Sequence, residues 1–140
     1  MIIRAARDTD SPRLAALLTQ LGYPAESREL PQRLARLAGR GAAVAFVAES
    51  NGAVAGLATA HVIPAIQSER DVALLTALVV AEDLRQQGAG RALVAAVEGW
   101  ARAQGCSRIA VTTALHRDDA HHFYERLGYE HSGRRYSRTL

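Results

Sequence analysis

Val72-Ala73-Leu74-Leu75-Thr76-Ala77-Leu78-Val79-Val80, continued by Ala81-Glu82-Asp83-Leu84-Arg85-Gln86-Gln87-Gly88-Ala89-Gly90 and the amphipathic run from Arg91 to Gly105, decides the fold. The first nine residues are almost wholly apolar, so they read as a strand buried on both faces, with helices packed over the sheet. In the loop, Gly88 and Gly90 tolerate positive φ and carry no side chain to block a ligand. Successive backbone N–H groups can therefore converge on one point. Leu93, Val94, Val97, Trp100 and Ala101 then recur at helical spacing, and the N-terminal dipole of that helix favours an anion at the same point. The stretch reads as strand, phosphate cradle and helix.

Working outward, Ile109-Ala110-Val111-Thr112-Thr113 is a further strand, and strand, helix, strand implies a right-handed parallel crossover. Upstream, two strand-like runs, Ala43 to Glu49 and Val54 to Val62, flank Ser50-Asn51-Gly52; Asn-Gly marks a hairpin and hence an antiparallel pair. Ile2 to Ala6 is a first strand. Ser11 as N-cap with Pro12 in the first turn opens a helix whose Leu14, Leu17, Leu18 and Leu21 share one face, and Gly22 stops it. A second helix has the stripe Leu30, Leu34 and Leu37, with Pro31 in its first turn and Gly39 and Gly41 at its end. Downstream, Asp118 or Asp119 caps a helix bearing His121, His122, Phe123, Tyr124 and Leu127. Gly128 stops it, and a short final strand is expected within Tyr129 to Leu140. There are no repeats or low-complexity tracts.

The 140 residues suit one domain, 1–140, with a real core. No apolar run reaches the ~18 residues of a membrane helix, and the N-terminus Met1 to Asp10 lacks the long apolar region of a secretory signal, so a cytoplasmic protein is expected. One cysteine, Cys106, allows no internal disulfide and agrees with a reducing compartment. The net charge of +3 comes from dispersed arginines, and aromatics make up only 5%, which disfavours a base-stacking surface for nucleic acid. A mildly basic surface equally suits an anionic cofactor.

The order β-α-α-β-β-β-α-β-α-β, with an Arg-x-x-Gly-x-Gly loop between the long strand and its helix, resembles the GNAT N-acetyltransferases over nearly the whole chain. Three stretches carry the resemblance: Leu78 to Leu93, the turn and helix Ala120-His121-His122-Phe123-Tyr124-Glu125-Arg126-Leu127-Gly128-Tyr129, and Ile3-Arg4-Ala5-Ala6 with Asp8. It implies an α/β fold with a mixed central sheet and helices on both faces, and acetyl-CoA as cosubstrate. The CoA pyrophosphate would then sit on the N–H groups of Gln86, Gln87, Gly88, Ala89, Gly90 and Arg91, with Arg85 or Arg91 adding charge. Main-chain groups of Leu78, Val79 and Val80 would pair with the pantetheine arm, Val80 lying nearest the thioester carbonyl.

Acetyl transfer to an amine needs a neutral nitrogen and a protonated leaving thiolate. An alkylamine of pKa about 10.4 is neutral in roughly one molecule in 2,500 at pH 7, so removing its proton is part of the barrier. The resemblance implies that Tyr124 is the acid beside the CoA sulfur. The strand glutamate that many relatives carry is matched here by Leu74, which leaves Glu49, His61, Asp71, His116, His121 or a water chain as the base. Arg117 replaces a frequent asparagine, and an arginine there would contact the CoA phosphates or lie in solvent. Adjacent helical positions such as His121 and His122 point about 100° apart and cannot chelate one ion, so no metal is expected. With no acyl-enzyme motif, direct attack in a ternary complex is expected. The acceptor is a small-molecule amine or a protein amine, bordered by the Gly22–Ser27 loop, the Pro64–Arg70 connection and the Ser132–Tyr136 turn, with Tyr23, His61 and Tyr136 available to line the opening. A homodimer is plausible from the edge strands. The alternative is a non-catalytic acyl-CoA-binding or sensing module.

Overall fold

In the computed structural model, residues 1–85, 87–112, 118–133 and 135–140 are described. The chain divides into two compact units, Met1–Ala110 and Val111–Leu140, taken in turn. The first holds β1 (Ile2–Ala5), α1 (Ser11–Leu21), α2 (Leu30–Ala38), β2 (Ala43–Ser50), β3 (Ala53–Ile63), β4 (Val72–Val80) and α3 (Ala89–Ala103). β5 (Arg108–Val111) runs across the boundary, and α4 (Asp118–Arg126) lies in the second unit. The sheet is mixed, ordered β1-β2-β3-β4-β5, with antiparallel pairing from β1 through β4. β5 starts beside the start of β4, where the Ser107 N–H donates to Asp71 O at 3.2 Å.

Local chemistry explains these elements. Asn51 and Gly52 both have positive φ, 52° and 77°, the conformation in which a two-residue turn matches strand twist. The Ser11 expectation needs correction. A 3₁₀ turn, Asp8–Asp10, precedes α1, and Ser11 is already helical, its hydroxyl donating back to Asp8 O at 2.6 Å. Asp10 is the N-cap residue of α1, and its side chain makes no capping bond to that helix; its Oδ2 accepts the Arg7 N–H at 2.8 Å, closing the 3₁₀ turn, and its carboxylate holds Arg4 through two bonds of 2.9 Å. That paired guanidinium holds the Asp10 carboxyl below its ordinary range.

Three rows of cross-strand partners order the face on which α1 and α2 pack. Val47, Leu57 and Val79 form one row, buried with Leu14, Leu17 and Leu30 of the two helices. Ala45, Thr59 and Ala77 form the next, then Ala43, His61 and Leu74. The opposite face belongs to α3, which packs across β2, β3 and β4 through the buried Leu93, Val94 and Val97. Gly56 is the closest approach. A Cβ there would stand 3.0 Å from both Leu93 Cδ1 and Val79 O, so no larger residue fits without movement. Helices thus lie on both faces, as expected.

The final strand is not found. Described residues of 129–140 belong to no strand and almost all are exposed. Their sequence offers only Tyr129, Tyr136 and Leu140 as apolar groups, too few to give a strand a face to bury.

Candidate active site

β4 ends at Val80 and gives way to a short 3₁₀ turn, Glu82–Leu84, before α3 begins at Ala89. Gly88 is the N-cap of α3 with φ 86° and ψ 5°, and no side chain caps the helix. The left-handed cap is what the sequence required of this glycine. Gly90, by contrast, lies inside α3 and does not have positive φ, so its backbone freedom is not used there. An uncapped helix start exposes its first N–H groups, and α3 is 15 residues long, so its dipole adds to them. Arg85, Gln87 and Arg91 are exposed around this point and Ala89 is buried. Gln86 falls outside the described residues.

The main-chain groups at the end of β4 divide by strand alternation. The Ala81 N–H donates to Ala55 O at 2.8 Å, and the register pairs Val80 with Gly56, Val79 with Leu57 and Leu78 with Ala58. Hydrogen-bonded pairs alternate in an antiparallel ladder. Val79 therefore spends its main chain on β3, while Leu78 and Val80 turn theirs to the other side. Sequence reasoning missed Gln20. Its Nε2 donates to Val80 O at 2.8 Å and its Oε1 accepts the Glu82 N–H at 3.3 Å, tying α1 across the strand-to-loop junction. Nothing in the spacing of α1 marks this residue, because it lies beside the apolar stripe and not in it.

Midway along β4 the register shifts between Thr59 and Ala60, leaving Thr76 as an extra residue, a bulge. Thr76 Oγ1 lies 2.7 Å from Thr59 Oγ1 and 3.1 Å from Thr59 O. Among the base candidates, Glu49 is bound to Arg4 at 3.5 Å, and Asp71 is exposed at the far end of β4. His61 stands directly across from Leu74, half-buried. His121 is on α4, half-buried; His116 and Arg117 lie outside the described residues. Among the described residues no group of three or more His, Cys, Asp and Glu could hold a metal ion. Burial pushes the Cys106 thiol up, with Asp71 adding to the effect, so the thiol stays protonated and unreactive.

In the second unit, Tyr124 is buried at 8% exposure. It meets Phe123 edge-on at 5.2 Å between ring centroids and Tyr129 at 5.6 Å. Burial raises its phenol to about 12. Tyr23 and Tyr136, expected at an opening, are exposed at 62% and 89%.

Comparison with known proteins adds to this geometry. The sequence profile of the acetyltransferase (GNAT) family matches residues 11–129. An aminoglycoside N(6')-acetyltransferase type 1 of Klebsiella aerogenes is 32% identical over 120 residues, 81% of this chain and 79% of that protein. An aminoalkylphosphonate N-acetyltransferase of Salmonella typhimurium is 33% identical over 90 residues, 64% of this chain and 58% of that protein, so the match spans little more than half of the Salmonella enzyme. Among solved structures, a transcriptional regulator of Bacillus halodurans C-125 superposes with a TM-score of 0.90 at 22% identity, covering 99% of each chain. At that identity the likeness shows the fold. No helix among the described residues is long and apolar enough to cross a membrane. On the profile match, the Klebsiella relative and the shared fold, the chain belongs to the acetyltransferase (GNAT) family.

Proposed function

We propose that the protein transfers an acetyl group from acetyl-CoA to the amine of a small-molecule acceptor, by direct attack in a ternary complex. The observation that carries this is the left-handed Gly88 cap on an uncapped 15-residue helix, directly after the long strand, in a chain with two N-acetyltransferase relatives. The start of α3 fits a pyrophosphate: Gly88, Ala89, Gly90 and Arg91 offer N–H groups, and Arg85 and Arg91 are exposed to supply charge. Gln86 and Gln87 complete the loop. Leu78 and Val80 have main-chain groups turned away from β3 for the pantetheine arm, and Val79 holds the strand in the sheet.

Acetyl-CoA brings the activated thioester; the chain's own groups must orient it and manage protons. Tyr124 is the residue for the leaving sulfur. With its phenol at about 12 and a thiol near 8.5, complete proton transfer runs uphill by about 5 kcal/mol at ~1.36 kcal/mol per pKa unit. Tyr124 therefore serves best as a hydrogen-bond donor to the developing thiolate, releasing its proton only as the amide nitrogen gives one up.

The relatives act on aminoglycosides and aminoalkylphosphonates by name, and both are alkylamines, the acceptor chemistry proposed. The single Cys106 agrees with a cytoplasmic protein, and β1, an edge strand of the sheet, is where two copies would pair as a homodimer; light scattering reads the mass. The function is tested by CoA thiol release with a panel of both amine classes. Release that depends on the amine is expected. Acetyl-CoA that raises the melting temperature while no amine accelerates thiol release would make the protein an acyl-CoA-binding module instead.

A further inference from the structure

We infer that His61 is the base that takes the proton from the acceptor ammonium, working through water beside the paired Thr59 and Thr76 hydroxyls. This rests on the acetyltransferase reading above and adds the residue that deprotonates the acceptor.

α3 seals its face of the sheet with Leu93, Val94 and Val97, each 0–1% exposed, so within this unit an acceptor can approach β4 only over the other face. There the cover of α1 and α2 ends at the Val47–Leu57–Val79 row. The next two rows are open: Thr59, Ala77, His61 and Leu74 are half-buried and Thr76 is exposed. Arg4, across from Val47 at the covered end of this face, is tied to Asp10 and Glu49; the uncovered rows are alanine, leucine, isoleucine and valine apart from these three polar side chains, and the three are contiguous. Thr59 and His61 are two residues apart on β3 and so share a face, and the bulge brings the Thr76 hydroxyl to 2.7 Å from that of Thr59.

Position and chemistry then single out one of the three. Direct attack needs a base on the acceptor side, and imidazole is the one side chain that ordinarily changes charge between pH 5 and 8. The His61 side chain forms no hydrogen bond or ion pair with another described residue, whereas Glu49 is committed to Arg4. Its cross-strand partners are Ala43 and Leu74 and its diagonal neighbours are Ala45, Val72 and Thr76; none is charged. An arm that starts at the Gly88 end passes Val80 before Leu78, which brings its thioester to Leu78 and not to Val80, where the resemblance had put it; Leu78 pairs with Ala58, three residues from His61, or about 10 Å along the strand and two strand spacings of about 4.8 Å across it. That gap holds an amine and bridging waters, with the Thr59–Thr76 pair in between to orient them.

The protons balance as follows. R–NH₃⁺ gives one proton through water to the His61 imidazole. The freed lone pair attacks the thioester carbon, the C–N bond forms and the C–S bond breaks. The leaving thiolate is protonated with the second nitrogen proton, by way of Tyr124, and His61 returns its proton to solvent. The products are the acetamide, CoA thiol and one H⁺.

Acceptors of different basicity test this in the full-length chain. Sisomicin and 2-aminoethylphosphonate are alkylamines that must be deprotonated; hydroxylamine is largely neutral at pH 8 and needs no base. In His61→Gln and His61→Asn, with melting temperatures checked against wild type, kcat for the alkylamines should fall about 100-fold, and kcat for hydroxylamine less than threefold. Equal losses for all three acceptors, or no loss for the alkylamines, would overturn His61 as base and leave the acetyltransferase reading standing, as would a wild-type chain that acetylates hydroxylamine alone. A wild-type chain that binds acetyl-CoA and acetylates none of the three overturns that reading, and the base with it.

Discussion

Under α3, buried Leu93, Val94 and Val97 press on a sheet so close that Gly56 has no room for a Cβ. Across the same strands, α1 and α2 bury Val54 and Ala81 together with the Val47–Leu57–Val79 row and then stop, and the rows beyond carry Thr59, His61 and Thr76. The closed face fixes the start of α3 relative to the end of β4, which is what a cradle for a phosphate requires. The open face gives up burial energy in exchange for reach. Partly covered polar groups on a sheet contribute little to stability, so their presence on the second face calls for a functional explanation and the apolar packing on the first does not.

Breaking the closed face should cost most. Leu93→Ala should destabilise the protein by about 3 kcal/mol, read as a fall in melting temperature of roughly 10 °C; a loss below about 1 kcal/mol would mean that α3 is not the lid it looks to be. Next comes the tie at the edge of the other face. Asp10→Asn should cost about 2 kcal/mol, since Arg4 loses its paired carboxylate and keeps only Ala5 O and the longer contact to Glu49. It should also flatten the acid limb of stability. Because the folded Asp10 carboxyl is held below its ordinary 3.8, its contribution is complete above about pH 4 and fades as pH falls through the folded value. A wild-type midpoint that does not move between pH 5 and pH 3 would contradict this.

Gly88→Val should cost about 1–2 kcal/mol by forcing a branched residue into left-handed backbone, although nothing stands within 4 Å of its Cβ position. Its larger effect should be on the donor, a rise of about tenfold or more in the KM for acetyl-CoA. An unchanged KM would remove the helix start as the phosphate seat. The smallest effect belongs to Gln20→Ala, about 1 kcal/mol for two hydrogen bonds that water can partly replace. A KM for acetyl-CoA that rises while the melting temperature moves by a few degrees would show that this clamp positions the donor strand.

Much of the fold was legible because it depends on patterns within one segment. The apolar run of β4, the Asn51–Gly52 turn, the leucine stripe of α1 and the glycine before α3 each declare themselves locally, and each was found where expected. Errors came where the deciding partner was distant. Ser11 has the residue type of a cap, but the 3₁₀ turn at Asp8–Asp10, closed by Asp10 on Arg7 and Arg4, moves the helix start so that Ser11 is already helical. The final strand was expected from its place in the order, yet its residues have no apolar face to bury.

The candidate site divides the same way. The left-handed glycine that opens α3 is a backbone property, written in residue types, and the sequence by itself determined it along with the family. It could not rank Glu49, Asp71 and His61, which sit on different elements and look alike as letters. Only the tertiary structure decided that Glu49 is held by Arg4, that Gln20 reaches across to Val80, and that a bulge at Thr76 sets a hydroxyl pair beside the His61 row. The physical reason is register: a strand's pattern says which residues alternate, and the pairing of strands says which of them meet.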